Sequence, residues 1–267
     1  MSALSPISPL GRWNGRLTSR PLPPNDPSLD ELAPDERTLL ANIWLSQCST
    51  ERRVARSFAV VHRALLALDA DPGLVATAER AVDDEHRHAA LCLEVASRYA
   101  GRALNAPTEL PFAHPTHPSA SNERVRLSLF VVGQCAFNET FASAYLDASL
   151  DAAQTPLARA AVRELLSDEI DHARIGWAFA ATLPSGERRE VEDWLLPLAV
   201  CNLREWRAIE LPALSRERIA PHAIPERATV ERALLATIES VMIPGFERFG
   251  LSTRALRDWH AAGAPTD

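Results

Sequence analysis

The chain has 267 residues, 46% of them hydrophobic and 24% charged, with a formal net charge of −7. That composition suits an ordinary globular protein long enough to bury a real core. The acidic balance, with no basic stripe, argues against nucleic acid as a partner.

Residues 1–32 are rich in Pro, Ser and Asn, show no sustained period and read as an extended arm. A first helix is predicted to begin near Pro34, followed at once by Asp35 and Glu36, which suit the positive end of a helix dipole. Its apolar stripe runs through Leu40, Trp44, Cys48, Val54, Phe58, Val61 and Leu65, with one gap at Glu51. The turn Asp69-Ala-Asp-Pro-Gly73 ends it. Asp71 should cap a second helix that lasts until Gly101.

Residues 101–121 carry four prolines and read as a long crossover. Ser121 is then expected to cap a third helix reaching about Asp151, and Thr155-Pro156 to start a fourth that stops at Pro184. Beyond it, 187–210 looks helical with a kink at Pro197, and further helices are predicted near 226–242 and 253–262. The expected organisation is an arm (1–32), an all-α four-helix bundle of two hairpins (33–184), and a C-terminal helical extension (185–267) packed on it.

No stretch approaches the roughly 18 apolar residues of a membrane span. The N-terminus lacks the apolar run of a signal peptide. Cys48, Cys92, Cys135 and Cys201 stand singly with no Cys-x-x-Cys, which disfavours an iron–sulfur or structural zinc site. Reduced cysteines in a cytoplasmic protein are the expectation.

The chemistry lies in a repeated spacing. Glu51 precedes Glu85-His-Arg-His88 by one helix, and Glu139 precedes Glu169-Ile-Asp-His172 by one helix. Hairpin geometry tests whether these residues meet. The midpoint of Glu51 and Glu85 falls at residue 68, beside the first turn; that of Glu139 and Glu169 falls at 154, beside Thr155-Pro156. Each pair is therefore level to within roughly two turns at ~1.5 Å per residue. All four glutamates also lie on apolar stripes, where an unpaired carboxylate costs several kcal/mol. Two divalent cations would neutralise four buried acids, with His88 and His172 as neutral donors. One imidazole per metal in a carboxylate-rich set favours iron or manganese over zinc or copper. Asp84 and Asp168 each precede a ligand glutamate, and each is expected to hold the histidine of the opposite hairpin.

His86 should point about 100° away from Glu85 and be exposed. His114 and His117 are expected to be solvated in the crossover. Cys92 and Cys135, one turn from His88 and Glu139, are candidates to line the pocket, with small core fillers expected ahead of redox groups; Gly176, one turn past His172, would leave space for substrate or O2, although close helix packing explains it equally well. Tyr99 and Tyr145 could serve redox roles only if close to the metals.

Residues 35–183 resemble the ferritin-like di-iron carboxylate proteins, on the strength of Asp84-Glu-His-Arg-His88 and Asp168-Glu-Ile-Asp-His172. The first matches the Asp-Glu-x-Arg-His form of di-iron oxygenases; the second has aspartate in place of arginine. The chain is distantly similar to arylamine N-oxygenases, but the extra histidine ligand those enzymes carry is Leu165 here. A six-ligand site is thereby implied, as in aldehyde-deformylating oxygenases and methane-monooxygenase-like hydroxylases. In the latter a hydroxyl residue lies four after the third-helix glutamate, which is Ser143 here.

The resemblance implies an O2-activating non-haem di-iron oxygenase or oxidase acting on a small organic substrate. Its cofactors would be two iron ions, Fe/Fe first and Mn/Fe second. Without a dinucleotide or iron–sulfur motif, a separate reductase or ferredoxin would supply electrons. A homodimer is common among the proteins it resembles. The competing expectations are a ferroxidase or iron-storage subunit, and a metal-free interaction module.

Overall fold

A computed structural model describes residues 20–109, 112–209 and 216–266. Among them the regular structure is entirely helical. The first helices follow the local signals closely. α1 (Pro34–Ala67) begins with proline, and Glu36 accepts a hydrogen bond from the Ala33 N–H at 2.8 Å. α2 (Pro72–Ala100) is capped by Asp71, whose carboxylate accepts from Gly73 N–H at 2.8 Å. It ends at Gly101, whose φ of 66° is the left-handed conformation glycine adopts without steric cost.

The connection to the next helix is pinned to α1, since Arg52 donates to the Pro107 carbonyl at 2.6 Å. α3 (Glu123–Val131) is capped by Asn122, whose side-chain oxygen accepts from Val125 N–H at 3.0 Å. The expected cap, Ser121, instead bonds Glu190. Asn122 wins because it directly precedes the first helical residue, where a cap must sit.

α3 does not run straight into the next segment. Residues Val132–Asn138 form a π-helical stretch, and α4 (Glu139–Ala152) continues from it. α5 (Pro156–Thr182) receives its cap from a distant segment: Asp26 accepts from Leu157 N–H at 2.8 Å. Part of the expected arm is thus fastened to the bundle, with Leu22, Leu29 and Leu32 packed against its core. The rest of the arm, residues 1–19, lies outside the described residues.

α1 pairs with α2, α4 with α5, and α2 packs on α5, which joins the two hairpins. α6 (Ser185–Arg207) contains Pro197 and packs on α3 and the π segment. A short turn, α7 (Arg216–Ile219), leads to α8 (Arg227–Thr237), which lies on α4. A second π stretch, Ile238–Met242, precedes α9 (Ile243–Arg248), and α10 (Arg254–Ala261) ends the described chain.

The buried apolar side chains fall into two clusters. On α1, α2 and α5 one cluster gives way to the other along each helix: Cys48 to Phe58, Ala81 to Ala89, and Leu165 to Ile175. Glu51, Glu85 and Glu169 occupy the gaps. A polar layer therefore crosses the bundle between two apolar blocks.

Candidate metal centre

The six predicted ligand residues meet in that layer. Glu85 and His88 come from α2, Glu169 and His172 from α5, Glu51 from α1 and Glu139 from the start of α4. None is more than 4% exposed. Ligand atoms of Glu51, Glu85, His88 and Glu169 lie within 4.8 Å of one another, and so do those of Glu85, Glu139, Glu169 and His172. Each group could hold a metal ion. Glu85 and Glu169 belong to both groups.

The two imidazoles face the same way. Nδ1 of His172 lies 3.0 Å from Glu85 Oε1 and 3.0 Å from Glu169 Oε2. Nδ1 of His88 lies 3.4 Å from Glu169 Oε1 and 3.5 Å from Glu85 Oε2. The Nε2 atoms point outward to the aspartates, His88 to Asp168 at 3.2 Å and His172 to Asp84 at 3.5 Å. Each aspartate therefore stands against the histidine of the opposite hairpin, as expected from the sequence. The second contact is long for a hydrogen bond.

Arg87 ties the two aspartates together. Its guanidinium donates to Asp84 Oδ1 at 2.5 Å and to Asp168 Oδ2 at 2.6 Å. A planar fork can grip two carboxylates at once, which a lysine cannot. In the sequence this arginine stands only as part of the Asp84–His88 motif, with nothing to mark it as a clamp. Asp171 stands at the equivalent position on α5 and pairs with Arg174 instead.

Three further polar groups were missed. Gln47 donates to Glu51 Oε1 at 2.6 Å, and Gln134 and Asn138 donate to Glu139 Oε1 at 2.5 and 3.2 Å. Gln47 precedes Glu51 by four residues, a spacing that could have found it. Gln134 precedes Glu139 by five, which reaches it through the π-helical stretch.

Burial, together with the charges of Glu85 and Glu169, pushes the Glu51 carboxyl well above the ordinary range. Burial with Glu169 and Glu85 does the same to Glu139. Glu169 goes the other way: burial would raise it, but His172 and His88 outweigh burial and hold it low. Burial disfavours both imidazolium forms. The carboxylates of Asp168, Glu169 and Glu85 nevertheless hold His88 well above its usual value, and Glu169, Asp84 and Glu85 do so for His172.

These residues fit a pair of cations. Both carboxylate oxygens of Glu85 and Nδ1 of His88 are buried without a well-directed hydrogen bond. Buried, unpartnered polar atoms are costly. Ions between the shared carboxylates and the Nδ1 atoms would satisfy all three. The donor set is mostly carboxylate with one nitrogen per position, which suits iron or manganese.

A cavity of 840 Å³ reaches the cluster, lined there by Glu51, Glu139 and Glu169 and by Gln47, Asn138 and Ala142. Ser143, Cys92, Cys135 and Gly176 are not among its lining residues. Ser143 donates to the Glu139 carbonyl at 2.9 Å, turned back onto its own helix. Cys92 and Cys135 are fully buried, and burial raises both thiols. Gly176 leaves no space, because a Cβ there would lie 2.2 Å from the Ala136 nitrogen. Its reading as room for substrate or O2 gives way to close packing of α5 on the π segment.

His86 is exposed. His114 is exposed too, but His117 is half-buried with its ring 5.5 Å from that of Trp194, so the expectation of a solvated ring does not hold there. Tyr99 is buried at the far end of the bundle and bonds His222 at 3.0 Å, whereas Tyr145 lines the cavity. No helix among the described residues is long and apolar enough to cross a membrane. No family profile, curated protein or solved structure matches the chain.

Proposed function

We propose that the chain is a ferritin-like, non-haem di-iron oxygenase or oxidase acting on a small organic molecule. The observation that carries this reading is the pair of ligand groups sharing Glu85 and Glu169, with the 840 Å³ cavity opening onto three of the four carboxylates. Two irons held there would supply the electrons that reduce O2.

In this reading Glu51, Glu85, His88 and Glu169 would hold one iron, and Glu85, Glu139, Glu169 and His172 the other. Asp168 orients the His88 ring through Nε2, and Asp84 stands 3.5 Å from Nε2 of His172, so that both Nδ1 atoms turn toward the glutamates. Gln47 and Gln134 each donate to one oxygen of Glu51 and Glu139, fixing which oxygen turns inward. The apolar blocks on either side lower the local polarity and strengthen the charge interactions in the layer. The catalytic cycle needs an external electron donor, a reductase or ferredoxin, because the ligand set offers no second redox group.

Iron storage is the rival reading, and the cavity favours the enzyme. A mineralising subunit has no use for a large chamber with an apolar wall beside its ferrous site. The test is anaerobic loading with ferrous iron followed by O2. The enzyme reading expects O2 uptake with iron held at about two per chain. Growth of a mineral far beyond that ratio would favour storage; no retained iron would favour a metal-free module.

A further inference from the structure

We infer that the 840 Å³ cavity binds an elongated, amphipathic organic molecule whose polar groups lie along one edge. The molecule would be the substrate if the cluster is the oxidising centre proposed above; its shape and chemistry follow from the cavity lining alone.

Length comes from α1. The lining face of that helix extends from Leu39 to Val54, about 22 Å at the helical rise. Glu51 stands one turn from the near end, so roughly 18 Å of trough lies beyond it. Pockets for single drug-sized ligands span about 300–1,000 Å³, and this one lies in the upper part of that range. A compact ring bound at the carboxylates would leave most of the trough to water.

The lining mixes a polar ridge with apolar surface. On α1, Asn42, Ser46 and Thr50 line the cavity at four-residue intervals, which sets a carboxamide and two hydroxyls on one ridge about 6 Å apart. Apolar lining comes from Leu39, Ile43 and Val54 of the same helix and from Tyr145 and Leu146 of α4, Trp206 of α6 and Ile224. The Tyr145 and Trp206 rings lie 5.5 Å apart, and Trp206 Nε1 donates to Asn138 at 3.1 Å, which fixes the indole beside Glu139. A plain hydrocarbon would leave the α1 ridge without hydrogen bonds, and a fully polar chain would face an aromatic wall. A chain bearing amides or hydroxyls on one side matches both. The lining also includes Arg53, Arg227 and Glu205, so neither sign of ligand charge is selected.

The test is calorimetric titration of the full chain with three probes: N-decanoylglycylglycine, tridecanoate and 4-aminobenzoate. We expect N-decanoylglycylglycine to bind tightest. Ile43→Trp, which blocks the trough about 12 Å beyond Glu51, should weaken it by about tenfold or more and leave 4-aminobenzoate unchanged. Leu39→Trp, nearer the far end, serves if Ile43→Trp loses helical circular dichroism. Thr50→Val should weaken the diglycyl probe by about threefold to tenfold and leave tridecanoate unaffected. The inference is overturned if no probe binds, if 4-aminobenzoate binds as tightly as the long probe, or if neither tryptophan variant changes long-probe affinity. Iron content is measured on the same samples. Probe binding without iron would sink the di-iron reading and keep the cavity assignment, and iron without probe binding would do the reverse.

Discussion

Nε2 of His88 on α2 lies 3.2 Å from Oδ2 of Asp168 on α5, so the outward side of the ring is met by the opposite hairpin. His172 meets Asp84 in the reciprocal sense. Orientation of the two rings therefore depends on how the hairpins dock, and Arg87 fastens that docking by gripping both aspartates.

Arg87→Lys should weaken metal binding by about tenfold or more, because an ammonium is a single point charge that cannot span both carboxylates. Competition against a calibrated chelator measures this. Unchanged affinity would mean that the aspartates hold the rings without the clamp.

Gly176→Ala places a methyl where the Ala136 backbone already stands, 2.2 Å from its nitrogen. Backbone yields less readily than a side chain, so a loss of about 2 kcal/mol or more is expected in denaturant unfolding. Because the π segment leads directly into Glu139, bound iron should fall as well. A variant of full stability would show that α5 can shift away freely.

The convergence of Glu51, Glu85, His88, Glu139, Glu169 and His172 in one layer was legible in the sequence, since hairpin midpoints and apolar stripes indicated both their depth and their facing. The pairing of Asp84 and Asp168 with opposite histidines was also legible, from the general need of a ligating imidazole for an acceptor. Other features were hidden for physical reasons. A π-helical stretch inserts a register change that a 3.6-residue period cannot reveal, so Gln134 looked remote from Glu139. Asp26 as the cap of α5 is a contact across 131 residues, which no local signal carries. The cavity wall depends on Trp206, Ile224 and Arg227 folding back over α4, and the ligand motifs say nothing about that.

His222 is 3% exposed and its Nδ1 meets the Tyr99 hydroxyl at 3.0 Å. Burial lowers its pKa from the ordinary 6.5, against the opposing pull of Asp26, Glu36 and Glu31. The unfolded chain therefore takes up this proton before the folded one does. Stability from this group is present above pH 6.5 and is lost as the pH falls through that value toward the lower folded pKa. His222→Gln should flatten the fall in unfolding free energy between neutral pH and mildly acidic pH. An identical slope in both proteins would show that the ring titrates normally.

Glu139→Ala and His172→Ala each remove a donor from one ligand group and should lower bound iron severely. His86→Ala alters an exposed neighbour of Glu85 and should leave iron near its wild-type ratio. Elemental analysis after desalting distinguishes them. Equal iron in all three variants would refute the ligand assignment.

If Glu85 and Glu169 are shared between two cations, anomalous diffraction at the iron edge on crystals of ferrous-loaded protein will show two peaks inside the polar layer. One peak would lie beside Nδ1 of His88 and one beside Nδ1 of His172, with the Glu85 and Glu169 carboxylates in reach of both. A lone peak, or none within reach of those imidazoles, would contradict that sharing.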